Sequence, residues 1–263
     1  LIAFVLSWLR TMRKIAEEPD ILPGTRGGVW LPPFGSRPQS ALVQFTIRTL
    51  ARSRQHRMNL AFYLGVGFAM AVVIKAPMPS ILLLLCLAVV GTRLAFSRPL
   101  DLRANWLFRI LPVSGAATAR TTARRALLAL TLLPAVIGGA VWFLRGWSVA
   151  DAAKHLFLVA LFGMLLIEAW LITFRKIPFA CSYLPGKSRF HLIFAGTIQL
   201  LPLALMQLVE WEQQIASAWL TYIATAAALT AAILYARKIP SASEEIVYED
   251  FASDDLIELK LQS

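Results

Sequence analysis

Six apolar stretches, each close to the length that crosses a bilayer, limit what this chain can become. They run over Met58–Lys75, Met78–Ser97, Ala126–Leu144, Lys154–Phe174, His191–Val209 and Ile215–Ala236. A helix needs roughly 20 apolar residues to span the ~30 Å hydrocarbon layer, because each residue rises only about 1.5 Å. The connecting segments alternate in charge. Arg10, Arg13, Lys14, Arg26, Arg37, Arg48, Arg52, Arg54 and Arg57 precede the first stretch. Arg98, Arg103, Arg109, Arg120, Arg124 and Arg125 lie between the second and third, and Arg175, Lys176, Lys187 and Arg189 follow the fourth. The other side carries only Lys75, Arg145 and Lys154. Such a bias assigns the Arg-rich segments to the cytoplasm. The expected fold is all-α, a polytopic membrane helix bundle of six complete transmembrane helices.

Composition leads to the same class. Hydrophobic residues make up 58% of the chain and charged ones 16%, and the mean hydropathy is +0.64, outside the soluble globular range. A net charge of +11 in a soluble domain would point to nucleic acid. Here the cations sit where helices meet the membrane surface, and anionic headgroups favour each by about 1 kcal/mol. Membrane lipids, not nucleic acid, are therefore the expected partner. Cys86 falls inside a span and Cys181 in a loop, which predicts neither a disulfide nor a cysteine-based metal site.

The segments outside the spans differ in character. Leu1–Leu9 is apolar and ends at Arg10; about 14 Å of helix reads as the last half of a further, truncated membrane helix. Residues 10–40 form a linker, and Pro23, Pro32, Pro33 and Pro38 with Gly24, Gly27, Gly28 and Gly35 exclude regular structure from its second half. Ala41–Arg57 reads as an amphipathic helix capped by Ser40. Gln44, Arg48, Arg52 and Gln55 share one face, and Val43, Ile47 and Leu50 the other. With the basic cluster Arg52, Arg54, His56 and Arg57 at its end, it suits a helix lying in the membrane interface.

Arg98–Leu111 is a second amphipathic element. Pro99 suits its first turn, and Asp101, Asn105 and Arg109 recur every four residues as a polar strip opposite Leu102, Trp106, Leu107, Ile110 and Leu111. The apolar loop Arg175–Phe190 is expected to lie back on the membrane or on other loops. The tail, 237–263, turns acidic: Glu244, Glu245, Glu249, Asp250, Asp254, Asp255 and Glu258 are opposed by Lys260 alone after residue 238. An anionic leaflet repels such a segment. Its apolar residues, Ile246, Val247, Tyr248, Phe251, Leu256, Ile257, Leu259 and Leu261, suit docking on the protein's own basic loops or on a partner, and a solvated disordered tail is the alternative.

Two ionisable groups fall within apolar spans, Arg93 and Glu168. Both lie roughly 8–10 Å inside the same leaflet. An intramembrane charge is costly unless paired, so these two are expected to pair as a static bridge between spans two and four, with a role in conformational change or substrate polarity, or no direct contact, as the alternatives. Gly67 with Ala71, Gly138–Gly139, and Ala224, Ala228 and Ala232 offer small-residue packing faces. Gln199 and Gln207 are expected to hydrogen-bond between helices, and Pro202 to kink the span that holds them. His56, His155 and His191 are scattered without metal-type spacing, and no nucleophile elbow or phosphate loop is present. No catalytic residue, cofactor or metal is expected, and the chain does not read as an enzyme.

The order of amphipathic helix, span, short outer turn, span, then amphipathic helix before span three resembles the permease subunits of ABC-2-type exporters. The matching positions are Ala41–Arg57 and Arg98–Leu111, within a likeness that covers Ala41–Ala236. The resemblance implies that these two segments contact an ATP-binding-cassette ATPase subunit. Asp101, Asn105 and Arg109 then form the exposed strip, and the chain needs no nucleotide site of its own. It also implies a bacterial inner membrane, and assembly as a homodimer or heterodimer fits it. One departure is that Glu210–Gln214 is too short for the re-entrant helices these permeases often carry. The strings Arg52-Ser53-Arg54-Gln55-His56-Arg57 and Arg103-Ala104-Asn105-Trp106-Leu107-Phe108-Arg109 also resemble bacterial multi-pass proteins of unassigned function. A non-catalytic scaffold or assembly subunit of a membrane complex is the competing expectation.

Overall fold

The computed structural model describes residues 35–74, 77–98, 115–143, 148–172, 174–180 and 218–239, with isolated positions 108, 146, 207, 210, 211, 215 and 246. Every regular element among them is helical: α1 (Arg37–Arg52), α2 (Arg54–Ile74), α3 (Pro77–Phe96), α4 (Gly115–Leu127), a π-helical turn (Leu128–Leu132), α5 (Leu133–Phe143), α6 (Val149–Leu171) and α7 (Trp219–Lys238). Five continuous helical rods are long and apolar enough to cross a membrane, namely Arg54–Ile74, Met78–Phe96, Gly115–Val141, Val149–Leu171 and Trp219–Lys238. The chain is a multi-pass helical membrane protein. The expected span His191–Val209 lies outside the described residues apart from Gln207, which is exposed. So do residues 1–34, and the tail beyond Ile239 apart from Ile246.

The first helix differs from its expected form at both ends. It begins at Arg37, with Ser36 at the N-cap position and proline in the first turn, where a fixed φ and a missing N–H cost nothing. Ser40, expected as the cap, is buried inside the helix. The helix stops at Ser53, whose backbone is extended at φ −73° and ψ 123°, so Arg54–Arg57 belong to the first span. The face expected in lipid is packed on protein instead: Leu42, Val43 and Leu50 are buried, and α1 lies along α4. Arg48 and Arg52 remain exposed.

At the centre stands α3, whose residues from Ile81 to Val90 are buried apart from half-buried Leu84. It contacts α2, α4, the π turn, α5 and α6. Glycines set the closest approaches. A Cβ on Gly163 would lie 2.7 Å from Leu132 Cδ1 and 2.8 Å from Leu85 Cδ2, so only hydrogen fits where α6 meets α3 and the π turn. Of the pair Gly138–Gly139, only Gly139 faces neighbours, Leu156 and Ile81, and α5 continues through both. The rod from α4 to α5 is interrupted earlier, at the π turn, where Thr131 Oγ1 donates to the Leu127 carbonyl at 2.7 Å.

Helices α6 and α7 run parallel. Tyr222 meets Lys154 near their starts, and Arg237 meets Glu168 near their ends.

A buried charge cluster at the Arg-rich end

The α6 helix is capped by Ser148, whose hydroxyl accepts the Asp151 N–H at 3.1 Å, and it ends at Leu171. It therefore starts and stops earlier than the apolar stretch suggests, and Glu168 sits about one turn from its end. The side chain is only 3% exposed. Arg237 of α7 donates its Nε–H to Oε1 at 2.7 Å, and Arg124 of α4 donates from Nη2 to Oε2 at 2.8 Å. Arg124 Nε also lies 2.6 Å from Oε1 but is not aligned to donate. One carboxylate thus holds two guanidinium groups and joins α4, α6 and α7.

Arg93 is not the partner of Glu168. It is buried at 5% exposure, and its Nε donates to the Trp170 carbonyl at 3.4 Å. Its Nη1 donates to the Ser97 hydroxyl, and its guanidinium lies 4.4 Å from the centre of the Phe174 ring. Arg120 acts similarly: buried in α4, it donates Nε–H to the Phe174 carbonyl at 3.1 Å. Arg93 occupies a carbonyl in the last turn of α6 and Arg120 one just beyond it, where acceptors lack helical partners and positive charge is favoured. Depth matching brought Arg93 and Glu168 to the same layer; direction around the helix gave Glu168 to other cations. Arg175 and Arg124 act on Arg120 as like charges, so among the described residues Glu168 lies in a layer crowded with cations.

The basic cluster expected at the interface divides. Arg52 and Arg57 are exposed and Arg54 is half-buried, whereas His56 is fully buried. His56 Nε2 lies 3.1 Å from the Arg98 carbonyl, and Nδ1 lies 2.6 Å from the Ser53 hydroxyl. A carbonyl only accepts, so Nε2 donates. Phe179 presents its ring edge-to-face at 4.7 Å from His56 and 5.4 Å from Phe96, and its N–H donates to the Phe96 carbonyl at 3.1 Å. Its φ of 65° is one a bulky residue adopts only when surrounding contacts hold it. The loop from Phe174 to Ala180 is thereby folded onto protein, with Ile177 and Phe179 buried.

Asp101, Asn105 and Arg109 lie outside the described residues. Phe108, between the last two, is buried, and its ring meets Phe45 of α1 at 5.5 Å and 63°. Among the described residues no three His, Cys, Asp or Glu side chains converge as for a metal. No known family model matches this chain, and no curated protein or solved structure is significantly similar to it. Arg124 and Arg237 were the site residues least visible in the sequence. Each flanks an apolar stretch and reads as a membrane anchor; the usable signal was that both lie within a turn of the layer of Glu168.

Proposed function

We propose that this chain is the membrane permease subunit of an ATP-driven, ABC-2-like export system in a bacterial inner membrane, with its Arg-rich end cytoplasmic. The observation that carries the reading is the Phe45–Phe108 contact. The two segments that the family resemblance assigns to the ATPase, one before the first span and one between spans two and three, meet through these rings. Beside them, Ala41, Gln44, Phe45, Arg48, Thr49 and Arg52 line an open groove of about 440 Å³ on α1, mostly apolar with basic residues among its lining, a surface suited to a protein partner. Motion imposed there has a route inward. α1 packs on α4, α4 carries Arg124, and Arg124 is tied through Glu168 to Arg237 of the last helix.

Six spans follow from the same reading. The parallel run of α6 and α7 supports that count, and His191–Val209 is the apolar stretch we assign to the return crossing between them. Six crossings, an even number, return the tail to the cytoplasmic side.

The test is purification of the full-length protein from its native membranes, identification of copurifying subunits, and an ATPase assay. The expected result is an ATP-binding-cassette subunit whose hydrolysis rate depends on the permease. Phe45→Asp, and Asp101, Asn105 and Arg109 changed together to Ala, should each reduce association while leaving membrane insertion intact. Absence of any ATPase overturns the reading and favours a non-catalytic scaffold.

A further inference from the structure

The two guanidinium groups on Glu168 crowd one another. Arg124 Nε lies 2.6 Å and Arg237 Nε 2.7 Å from the same oxygen, Oε1. They stand within about two hydrogen-bond lengths of each other, and like charges that close repel. One carboxylate balances only one of them. The other acids among the described residues, Asp151 in the first turn of α6 and Glu210 ahead of α7, lie towards the opposite end of the helix pair. Lys238, exposed and next in the chain to Arg237, adds a further cation. The cluster is short of negative charge, and it is open on one side. The Arg237 side chain is 41% exposed and that of Arg124 22%. Arg237 spends its Nε on Glu168, and among the described residues its two Nη groups make no further hydrogen bond. Around it on α7, Leu234, Tyr235 and Ile239 are exposed as well. A cation set in an exposed apolar surface at the end of a membrane helix sits at headgroup depth.

We propose that Arg124, Arg237 and Lys238 form a binding site for the phosphate of an anionic phospholipid, in the leaflet at the Arg-rich end. The Nη groups of Arg237 are the paired donors that fit two phosphate oxygens. Arg124 and Lys238 add charge, and Lys238 disfavours a headgroup that carries a cation of its own. Charge alone would accept any phosphate; the exposed Leu234 and Tyr235 select a lipid, because its acyl chains cover them. The bound phosphate supplies the anion that Glu168 does not, and so steadies the ends of α4, α6 and α7 together. None of this depends on the permease reading.

The experiment is a lipid titration of the full-length protein in detergent, read by native mass spectrometry, with phosphatidylglycerol and phosphatidylcholine as probes. Phosphatidylglycerol should bind about tenfold more tightly than phosphatidylcholine. Lys238→Gln removes an exposed charge without touching the buried carboxylate, so the fold is kept. It should weaken phosphatidylglycerol about fivefold. Adding Arg237→Gln should bring the loss to about twentyfold, with a melting curve to confirm that this variant is folded. Arg48→Gln with Arg52→Gln removes as much charge from exposed positions on α1 and should leave the affinity unchanged. Millimolar inorganic phosphate should not displace the lipid. Equal affinity for the two lipids, or wild-type affinity in Lys238→Gln, overturns the site. Equal weakening by the α1 pair means diffuse attraction only and overturns it as well. Displacement by inorganic phosphate overturns the lipid as its occupant.

Discussion

At its first end, the parallel α6–α7 pair is joined by the Tyr222 hydroxyl, which donates to the Lys154 carbonyl at 3.1 Å. The Lys154 ammonium lies 5.8 Å from the Trp219 ring, which is itself exposed. At its second end the same pair is joined by Glu168, buried between Arg124 and Arg237. The first end uses groups that headgroups and water can replace, so the loss of one contact is absorbed. The second keeps a buried carboxylate between half-buried Arg124 and exposed Arg237, so the acid depends on both cations. The described bundle is therefore uneven: polar interaction is concentrated at the Arg-rich end, the same end at which α1, the Phe174–Ala180 loop and Ile246 assemble.

The largest expected effect is at Glu168. Glu168→Leu leaves half-buried Arg124 and exposed Arg237 without their acid; hydrogen bonds to charged groups contribute about 1.5–3 kcal/mol each, less where solvent screens them, so the loss should be about 2–3 kcal/mol. Melting of the detergent-solubilised protein, followed by loss of monodispersity, should fall sharply. Changing Glu168, Arg124 and Arg237 together to Leu should recover most of the loss, since an apolar replacement of a whole buried cluster is often tolerated. Arg93→Leu sharpens the assignment of partners. Its effect should add to that of Glu168→Leu within about 0.5 kcal/mol; strong non-additivity would return Arg93 to the carboxylate.

Packing midway between the two ends ranks next. Gly163→Leu forces a side chain into the space held by Leu132 and Leu85, and overpacking of this kind costs about 1–3 kcal/mol. Gly138, where an added Cβ would meet nothing within 4 Å, should accept Leu within about 0.5 kcal/mol. Comparable losses at the two glycines in the same melting assay would contradict the close approach of α6 to α3.

The spans were legible because about 20 consecutive apolar residues leave few alternatives to a membrane helix. Their ends were less so. Hydropathy alone extended the fourth stretch to Phe174, but the backbone leaves the helix after Leu171, and that shift carries Glu168 towards the anchor arginines. The amphipathic pattern of α1 was legible, but not what covers its apolar face, since lipid and a protein core that includes Ala123 of α4 make the same demand for Val43 and Leu50. The His56 site was hidden for a related reason. A histidine among arginines at a span boundary looks solvated, and its partners, the Arg98 carbonyl and the Phe179 ring, come from distant parts of the chain. Ser53→Ala tests that site: without the hydroxyl on Nδ1, stability should fall by about 1 kcal/mol. No change would mean that the ring contacts alone hold His56.

The smallest effect is expected at the opposite end, with Tyr222→Phe. The ring stays packed with Leu158 and Ile215, so apolar burial is unchanged. The Lys154 carbonyl lies inside α6, where it keeps the N–H four residues on as its helical partner, so losing the hydroxyl does not leave it unsatisfied. Hydrogen bonds between membrane helices average about 0.6 kcal/mol when measured by double-mutant cycles, and this one, beside exposed Trp219, should not exceed that. The same melting assay, run beside Glu168→Leu, compares the two ends of one helix pair directly. A loss at Tyr222 that rivals the loss at Glu168 would mean that the Tyr222 end is as dependent on its polar contact as the Arg-rich end, and the unevenness argued for this bundle would fail.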